Sequence, residues 1–498
     1  MLAKNIDQEQ YEPGDASIST PATETSAELV PSVASCFPDH PRTNSLCAGI
    51  EVQSVNEHDI LQPYSFRISE PDLLDQILLN CYMNDVAPLM TVSQESPNPF
   101  TTTMGVYSGH SPALFHTLLS SAAMYLKFRD QTFALYDCAW RHRNIAISHL
   151  RKELSFRPFE ISTLAGIVML ALTESWFDPA KNGRPHIKAG ARLLKMHRER
   201  GRTVPDFIRN ALCWLESLIG YVCDYQGLVH EEPAIYMSVD HEGGADSPLQ
   251  KSSLTRSLIY GSALNVDPLV GTWSSLMPYV GMVGVAVRNL RKQGISDALL
   301  AYAKLVESRL MEWQNEARAA TTVTPNDGCV SPGQCSTFWR GTQSDFNQVA
   351  EGISVNYFAI MAGIYCRAAL LTFYTAFTSL LDIRLRTLTG TYSSSREFLR
   401  NMAASIIDSL EQIPQDNSLW NVSSFPVLAA GSSLARDDFQ RQQYIIESLK
   451  KIKSRNKIDL VMVLGHALEM VWSKSESDDV DITWLEAFDQ LGIEMLIN

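Results

Sequence analysis

The sequence predicts an all-α fold, and three observations lead to that prediction. Apolar residues recur at helical spacing from about residue 72 onward, Gly- and Pro-rich breaks separate these segments, and alternating β patterns are almost absent, residues 101–107 being the one short exception. A chain of 498 residues with 45% hydrophobic content can bury a large core. We predict a large multi-helix domain, and leave open a division into two helical sub-bundles joined through the 320–345 loop.

The first 64 residues are predicted to be a disordered acidic tail. They are rich in Ser, Thr and Pro, and their ten Asp and Glu residues outnumber Lys4 and Arg42. Such a segment cannot bury enough apolar surface to offset the entropy cost of ordering. We therefore divide the chain into a tail at 1–64, acting as a linker or a partner-binding segment, and a helical domain at 65–498.

The first helix should begin near Ser69, since Ser69 and Asp72 form a capping-box pattern. An apolar face then runs to Cys81, and Pro88 ends the helix. That face is expected to consist of Leu73, Leu74, Ile77, Leu78 and Cys81.

Two further helices follow. Ser111 fits an N-cap and Pro112 a first helical position, which predicts a helix through Leu126. Another should cover about 131–154.

An unbroken apolar run at 161–176 predicts a helix that is buried on most sides. Breakers at 178–179 and 182–183 end it, and the next helix carries small residues at 189–191, where two backbones could approach closely. We expect Leu170 and Leu194 in the interhelical core. The remaining helices are expected around 205–229, 297–318, 353–381, 395–412, 437–453 and 457–474, with loops at 241–256 and 320–345.

The charge and the cysteines restrict the class of protein. A formal net charge of −14 argues against a general nucleic-acid-binding surface. The nine cysteines are irregularly spaced, which is typical of a reducing compartment, and Cys329 and Cys335 are expected to be free thiols unless oxidised. One local basic cluster is interpreted as a solvated helix face: Arg141, His142, Arg143, Arg151 and Lys152.

No membrane partner and no signal peptide are expected. The N-terminal residues are polar, and no apolar segment follows them. The most apolar stretch, 353–383, carries Arg367 near its middle, which favours a buried central helix over a membrane span.

The residues that could carry chemistry are better explained by structural roles. Gly109-His110-Ser111 resembles part of a nucleophile elbow, but Pro112 follows the serine and the N-cap role explains it. His142 and His149 lie seven apart and lack a third ligand, which favours a partly exposed pair, and His186 and His197 show no ligand spacing. We predict no catalytic residue, no metal site and no cofactor.

One stretch could bind a ligand. At 357–377, aromatic rings alternate with alanines, which can leave a gap, and a methionine adapts to whatever fills it. A buried arginine there needs a partner, supplied by an anionic ligand group or from inside the protein, unless it reaches outward to solvent. We predict an apolar small-molecule effector that contacts Tyr357, Met361, Tyr365, Arg367 and Phe373.

Several stretches, in order, resemble the fungal-specific transcription-factor domain, the regulatory domain of zinc-cluster regulators, over roughly residues 66–498. Each stretch resembles a helix or helix pair of that family: 73–87, 111–126, 164–176 with 186–194, 425–431, 468–472 and Trp484. The resemblance implies a transcriptional regulator in the nucleus, or in nucleus and cytoplasm, that controls a metabolic or secondary-metabolite pathway. It further implies contacts with other transcription proteins and homo- or heterodimer formation. The domain would either sense an apolar small molecule or keep an activation region masked.

The family's N-terminal zinc cluster is not found in this sequence. That cluster has six cysteines in two Cys-x-x-Cys-x6-Cys halves, whereas only Cys36 and Cys47 precede the helical domain here. We therefore expect no zinc cluster and no direct DNA binding. Either the protein acts through a partner or the gene model omits an upstream exon. The alternative function is an α-helical enzyme, or enzyme-associated protein, with a non-contiguous site.

Overall fold

The structure is a computed structural model that describes residues 72–92, 98–130, 132–156, 160–178, 180–225, 227, 267–271, 274–322, 353–387, 392, 394–458, 461–474 and 482–495. The described part is helical throughout its regular elements, which confirms the all-α prediction. Its helices belong to one compact unit, Gly49–Asn498. The predicted tail at 1–64, the 241–256 loop, residues 323–345 of the second loop, Cys329 and Cys335 lie outside the described residues.

The N-terminal half begins with a continuous helical segment whose helix type changes twice. α1 (Leu73–Cys81) passes into a π-helical turn (Tyr82–Val86) and then into the short α2 (Ala87–Leu89). Six helices follow: α3 (Thr102–Ser108), α4 (Pro112–Asp130), α5 (Phe133–Phe156), α6 (Ile161–Phe177), α7 (Arg184–Glu199) and α8 (Asp206–Val222).

The C-terminal half continues the same pattern. Its elements are α9 (Met277–Gln293), α10 (Asp297–Thr322), α11 (Ile353–Ala376), α12 (Thr378–Thr387), α13 (Ser395–Glu411), a 3-10 turn (Ser418–Val422), α14 (Ser424–Ser432), α15 (Phe439–Asn456), α16 (Val461–Lys474) and α17 (Trp484–Leu491). α4 packs on α5 and α6, the α8–α9 pair joins the halves, and α11 packs on α9, α13 and α14. The buried apolar side chains form one continuous cluster.

The start of α1 corrects the sequence analysis. Asp72 itself is the N-cap, because its carboxylate accepts from the Asp75 N–H at 2.8 Å, and Ser69 lies outside the described residues. Of the predicted apolar face, Leu78 and Cys81 are buried, whereas Leu73, Leu74 and Ile77 are exposed. The reason is packing: α1 is covered on the side that meets α4, and Leu73, Leu74 and Ile77 lie outside that contact.

The one stretch with an alternating pattern, 101–107, does not form a strand: Thr102–Ser108 is the helix α3. The Asn98 carbonyl accepts from the N–H groups of Thr101 and Thr102, at 3.0 and 2.9 Å, and starts a helical turn. α3 then buries Met104 completely and packs on α4 and α6. A strand needs a pairing partner, and the described chain offers no other strand.

The α6–α7 pair matches its prediction. α6 is buried on most sides, and Leu170 and Leu194 have only 0% and 4% of their surface exposed. Gly190 on α7 lies against α8, where a Cβ would come within 2.6 Å of Leu212 Cδ2. The small residue is therefore needed for the close approach of the two helices.

The predicted helix at 353–381 is two helices, since regular structure is interrupted at Phe377, between α11 and α12. The Phe377 ring is buried and stacks on Phe373, with ring centroids 4.9 Å apart. Among the described residues, only Tyr357–Ala376 forms a helix long and apolar enough to cross a membrane, and 78% of its apolar window is buried inside the protein. This burial agrees with the predicted central helix.

Candidate functional site

The five residues predicted to contact an effector all lie on α11. Met361, Tyr365 and Phe373 are completely buried, Arg367 is 8% exposed, and Tyr357 is half-buried. α11 is surrounded by α9, α13 and α14, so these side chains pack against protein. The structure therefore brings four of the five residues into the core, and none of them lines a described cavity.

Arg367 has a partner inside the protein. Its Nη2 donates to the Ser409 hydroxyl on α13 at 2.8 Å. The sequence left three roles open for Arg367: pairing with a ligand anion, pairing inside the protein, or reaching outward to solvent. This contact agrees with pairing inside the protein.

Tyr365 connects α11 to a cavity. Its hydroxyl donates to the Val422 carbonyl in the 3-10 turn, and its ring lies 5.8 Å from that of Phe425. Burial raises the pKa of this hydroxyl, and a hydrogen bond with Trp214 partly offsets the effect. Val422 and Trp214 both line the cavity, so α11 supports its wall without entering it.

The cavity lies where α6, α8, the 3-10 turn and α16 meet, and has a volume of about 80 Å³. Its lining is mainly apolar and includes the rings of Trp176 and Trp214. The other lining residues are Leu89, Met90, Leu172, Ser175, Leu269, Asn421, Val422, Asn456, Ile458, Val461, Leu464 and Met495. A small apolar group fits such a space better than a charged one.

One polar atom in the cavity wall is unsatisfied. Asn456 is 8% exposed, and its Oδ1 is buried with no hydrogen-bond partner among the described residues. It is the last residue of α15, and the next residue, Lys457, adopts a left-handed conformation with φ 57°. Because a buried acceptor without a donor is costly, this oxygen favours a ligand that carries an N–H or O–H group.

Ser111 is the N-cap that the sequence predicted, and it has a second role. Its Oγ accepts from the Leu114 N–H at 3.0 Å and donates to the carboxylate of Glu153 on α5 at 2.8 Å. Glu153 also accepts from the Ala113 N–H and from the Thr163 hydroxyl, each at 3.1 Å. The carboxylate thus joins α4, α5 and α6, and Ser111 faces an acid where a nucleophile needs a histidine base.

His142 and His149 have a third neighbour that the sequence analysis missed. His116 of α4 stacks on both rings, with centroids 5.3 and 5.9 Å away, and its Nδ1 lies 3.1 Å from that of His142. Burial, together with the charges of the other two histidines, lowers the pKa of His116 to about 4. Stacked rings do not direct their nitrogens at one point, and within the described ranges no group of His, Cys, Asp and Glu could hold a metal ion.

The interpretation of the basic cluster as a solvated face was wrong for two members, because His142 and Arg143 are buried. Arg143 forms an ion pair with Glu174 of α6 and lies 4.6 Å from the Phe177 ring centroid, and His186 of α7 lies 3.3 Å from the same carboxylate. Burial by itself would raise the pKa of Glu174, but Arg143 and His186 lower it to about 2. This network joins α5, α6 and α7, so its role is structural.

A comparison with known families decides the assignment. Residues 77–497 match the family described as the fungal specific transcription factor domain. The chain belongs to this family. No curated protein and no solved structure matches the chain.

The fungal-specific transcription factor domain extends from within α1 to beyond α17, so the match includes every helix from α2 to α17. The resemblance inferred from the sequence is confirmed. Membership in this family assigns the chain to transcriptional regulation. A role in transcription in general implies a nuclear location.

Proposed function

We propose that this protein is a transcriptional regulator that acts in the nucleus through other transcription proteins, as a homo- or heterodimer. Its targets would be genes of a metabolic or secondary-metabolite pathway. A six-cysteine zinc cluster, which would bind DNA directly, is not found within the 498 residues. The observation that carries this proposal is the family match over residues 77–497. No constellation of catalytic groups in the described part of the chain favours the enzyme alternative.

A tethering experiment tests the regulatory role. The chain is fused to an unrelated DNA-binding domain whose operator lies upstream of a reporter gene in a fungal host. We expect reporter transcription to change severalfold relative to the DNA-binding domain alone, because the fused chain recruits transcription proteins. An unchanged reporter, with turnover of a metabolite by the purified chain, would instead favour the enzyme.

We further propose that the effector is an apolar small molecule that enters the cavity beside Asn456. An engineered apolar cavity of about 150 Å³ can hold benzene. A space of about 80 Å³ is about half as large, so it accepts only a few atoms, such as the end of a linear chain, and is too small for a whole sterol. The Asn456 Oδ1 favours a ligand end with one hydrogen-bond donor.

A thermal-shift screen of fatty acids, hydroxylated fatty acids, polyketides and sterols tests the effector proposal. We expect hydroxylated linear chains to raise the melting temperature of the wild-type protein. Asn456→Leu should abolish their advantage over chains without the hydroxyl, because it removes the acceptor while it keeps the branched shape of the side chain.

The matched variant is Phe373→Ala, with each shift measured against that variant's own unliganded melting temperature. The cavity proposal expects the ligand-induced shift to persist in this variant. A shift that Phe373→Ala abolishes and Asn456→Leu leaves intact would place the ligand on α11, as the sequence predicted. If no class stabilises the protein, effector binding by this domain is refuted.

A further inference from the structure

Helix α7 carries a stripe of cations along one face. Arg184, Lys188, Arg192 and Lys195 follow one another at intervals of four, four and three residues, which places them on the same side of the helix. Another face of α7 buries Ile187, Gly190 and Leu194 in the core. Packing therefore fixes the direction in which the stripe faces, in a chain whose formal net charge is −14.

The stripe forms one wall of a groove. The groove lies between α7, the end of α8 and α9, and has a volume of about 800 Å³. Arg288 and Lys292 of α9 line the other wall. Gly220 contributes to the lining where α8 and α9 approach closely, since a Cβ there would lie 3.3 Å from Val285 Cγ2. Cations thus face the same space from two helices.

The two walls differ in charge compensation. On the α9 wall, Asp224 forms ion pairs with Lys292 and with Arg288, the latter at 3.4 Å, and Asp489 also lies 3.4 Å from Arg288. On the α7 wall, Arg184, Lys188 and Arg192 have no ion pair or side-chain hydrogen bond within the part of the chain that the structure describes. Like charges four residues apart on a helix repel each other and destabilise it. An anion bound in the groove would offset the repulsion among Arg184, Lys188 and Arg192.

The shape of the groove limits the class of anion. About 800 Å³ is the size of a site for a small molecule. Guanidinium and ammonium groups on two walls favour a ligand with several negative oxygens. We propose that this groove binds an organic anion with two or more phosphate or carboxylate groups, held mainly by Arg184, Lys188 and Arg192.

Isothermal titration of the full-length chain tests the proposal, with tripolyphosphate and citrate as separate probes. We expect saturable binding of at least one probe. Tighter binding of tripolyphosphate would indicate a phosphate ligand, and tighter binding of citrate would indicate a carboxylate ligand. Lys188→Glu and Arg192→Glu should each weaken it roughly tenfold or more, because each replaces an attraction by a repulsion. The control is Lys304→Glu, an exposed lysine on α10 with the same change of net charge, which should leave the affinity within about twofold.

Three results would overturn the proposal. One is the failure of both probes to bind at low salt. Another is an equal loss of affinity in Lys304→Glu, which would show nonspecific attraction. The third is binding of a duplex DNA or of an acidic peptide through Lys188 and Arg192, in preference to both probes, since the surface would then serve a macromolecule. None of these results depends on reporter activity, so they are separate from the test of the regulatory role.

Discussion

Ser111 shows how a single hydroxyl can serve two helices. It caps α4 by accepting from the Leu114 N–H and holds α5 by donating to Glu153. An N-cap serine contributes about 0.5–2 kcal/mol, and a hydrogen bond to a charged group about 1.5–3 kcal/mol. We expect Ser111→Ala to lower the free energy of unfolding by about 2–3 kcal/mol in urea denaturation.

The matched control is Ser394→Ala, because Ser394 caps α13 at an exposed position and accepts from the Glu397 N–H. Its loss should be about 1 kcal/mol or less. Equal losses in the two variants would mean that the Glu153 contact adds nothing. Loss of an esterase activity in a stable Ser111→Ala protein would revive the nucleophile.

The stacked histidines predict an acid-sensitive fold. Because burial lowers the pKa of His116 to about 4 from a usual value of 6.5, the unfolded chain binds more protons between these values. The contribution of His116 to the free energy of unfolding is therefore fully present above about pH 6.5, and it is lost as the pH falls toward 4. The pKa values of His142 and His149 are lowered too, mainly by burial, while Asp75 opposes the shift at His142 and Glu153 opposes it at His149.

Urea denaturation at a series of pH values measures this effect. His116→Gln should give a shallower decline of unfolding free energy between pH 6.5 and 4 than the wild type. His466→Gln, at an exposed position on α16, should keep the wild-type slope. A wild-type slope in His116→Gln would show that the stacked histidines do not set the acid response.

At the scale of elements, the α8–α9 contact decides how the two halves join. A Cβ on Gly284 would lie 2.7 Å from Tyr221 Cδ2 and 3.0 Å from the Tyr221 nitrogen, so the glycine allows the two backbones to approach. Gly284→Ala should therefore push the helices apart and lower the free energy of unfolding by about 1–3 kcal/mol, despite the better helix propensity of alanine.

Gly465→Ala on α16 is the control that separates the steric effect of an added Cβ from the higher helix propensity of alanine. The nearest atom to its Cβ would be Leu449 Cδ1 at 3.8 Å, an ordinary contact. This variant should be neutral or more stable by up to about 1 kcal/mol in the same denaturation assay. Destabilisation of both variants to the same extent would argue against a special close approach at Gly284.

At the scale of the whole molecule, charge governs what the protein can approach. With a formal net charge of −14, the chain repels the phosphate backbone at long range, and the cations of the α7 stripe line a groove of about 800 Å³. We expect the purified chain to show no sequence-specific shift of duplex DNA in a gel assay at near-physiological salt. A specific shift at low-nanomolar protein that survives moderate salt would contradict this prediction.

The sequence by itself determined the fold class and most helix positions, because hydrophobic periodicity and N-cap chemistry are local. Ser111 and Pro112 begin α4 as predicted, and the 161–176 run forms the buried α6. The family resemblance was also readable, since it rests on the order of such segments.

Only the tertiary structure decided features that depend on partners distant in the chain. α9 was missed because its two internal glycines and several valines weaken the helical signal, and its contact with Tyr221 on α8 restores stability. Glu153 beside Ser111, His116 beside His142, and the isolated Oδ1 of Asn456 could not be inferred from spacing. Periodicity gives the face on which a residue lies, whereas the identity of its neighbour is set by how separate helices pack.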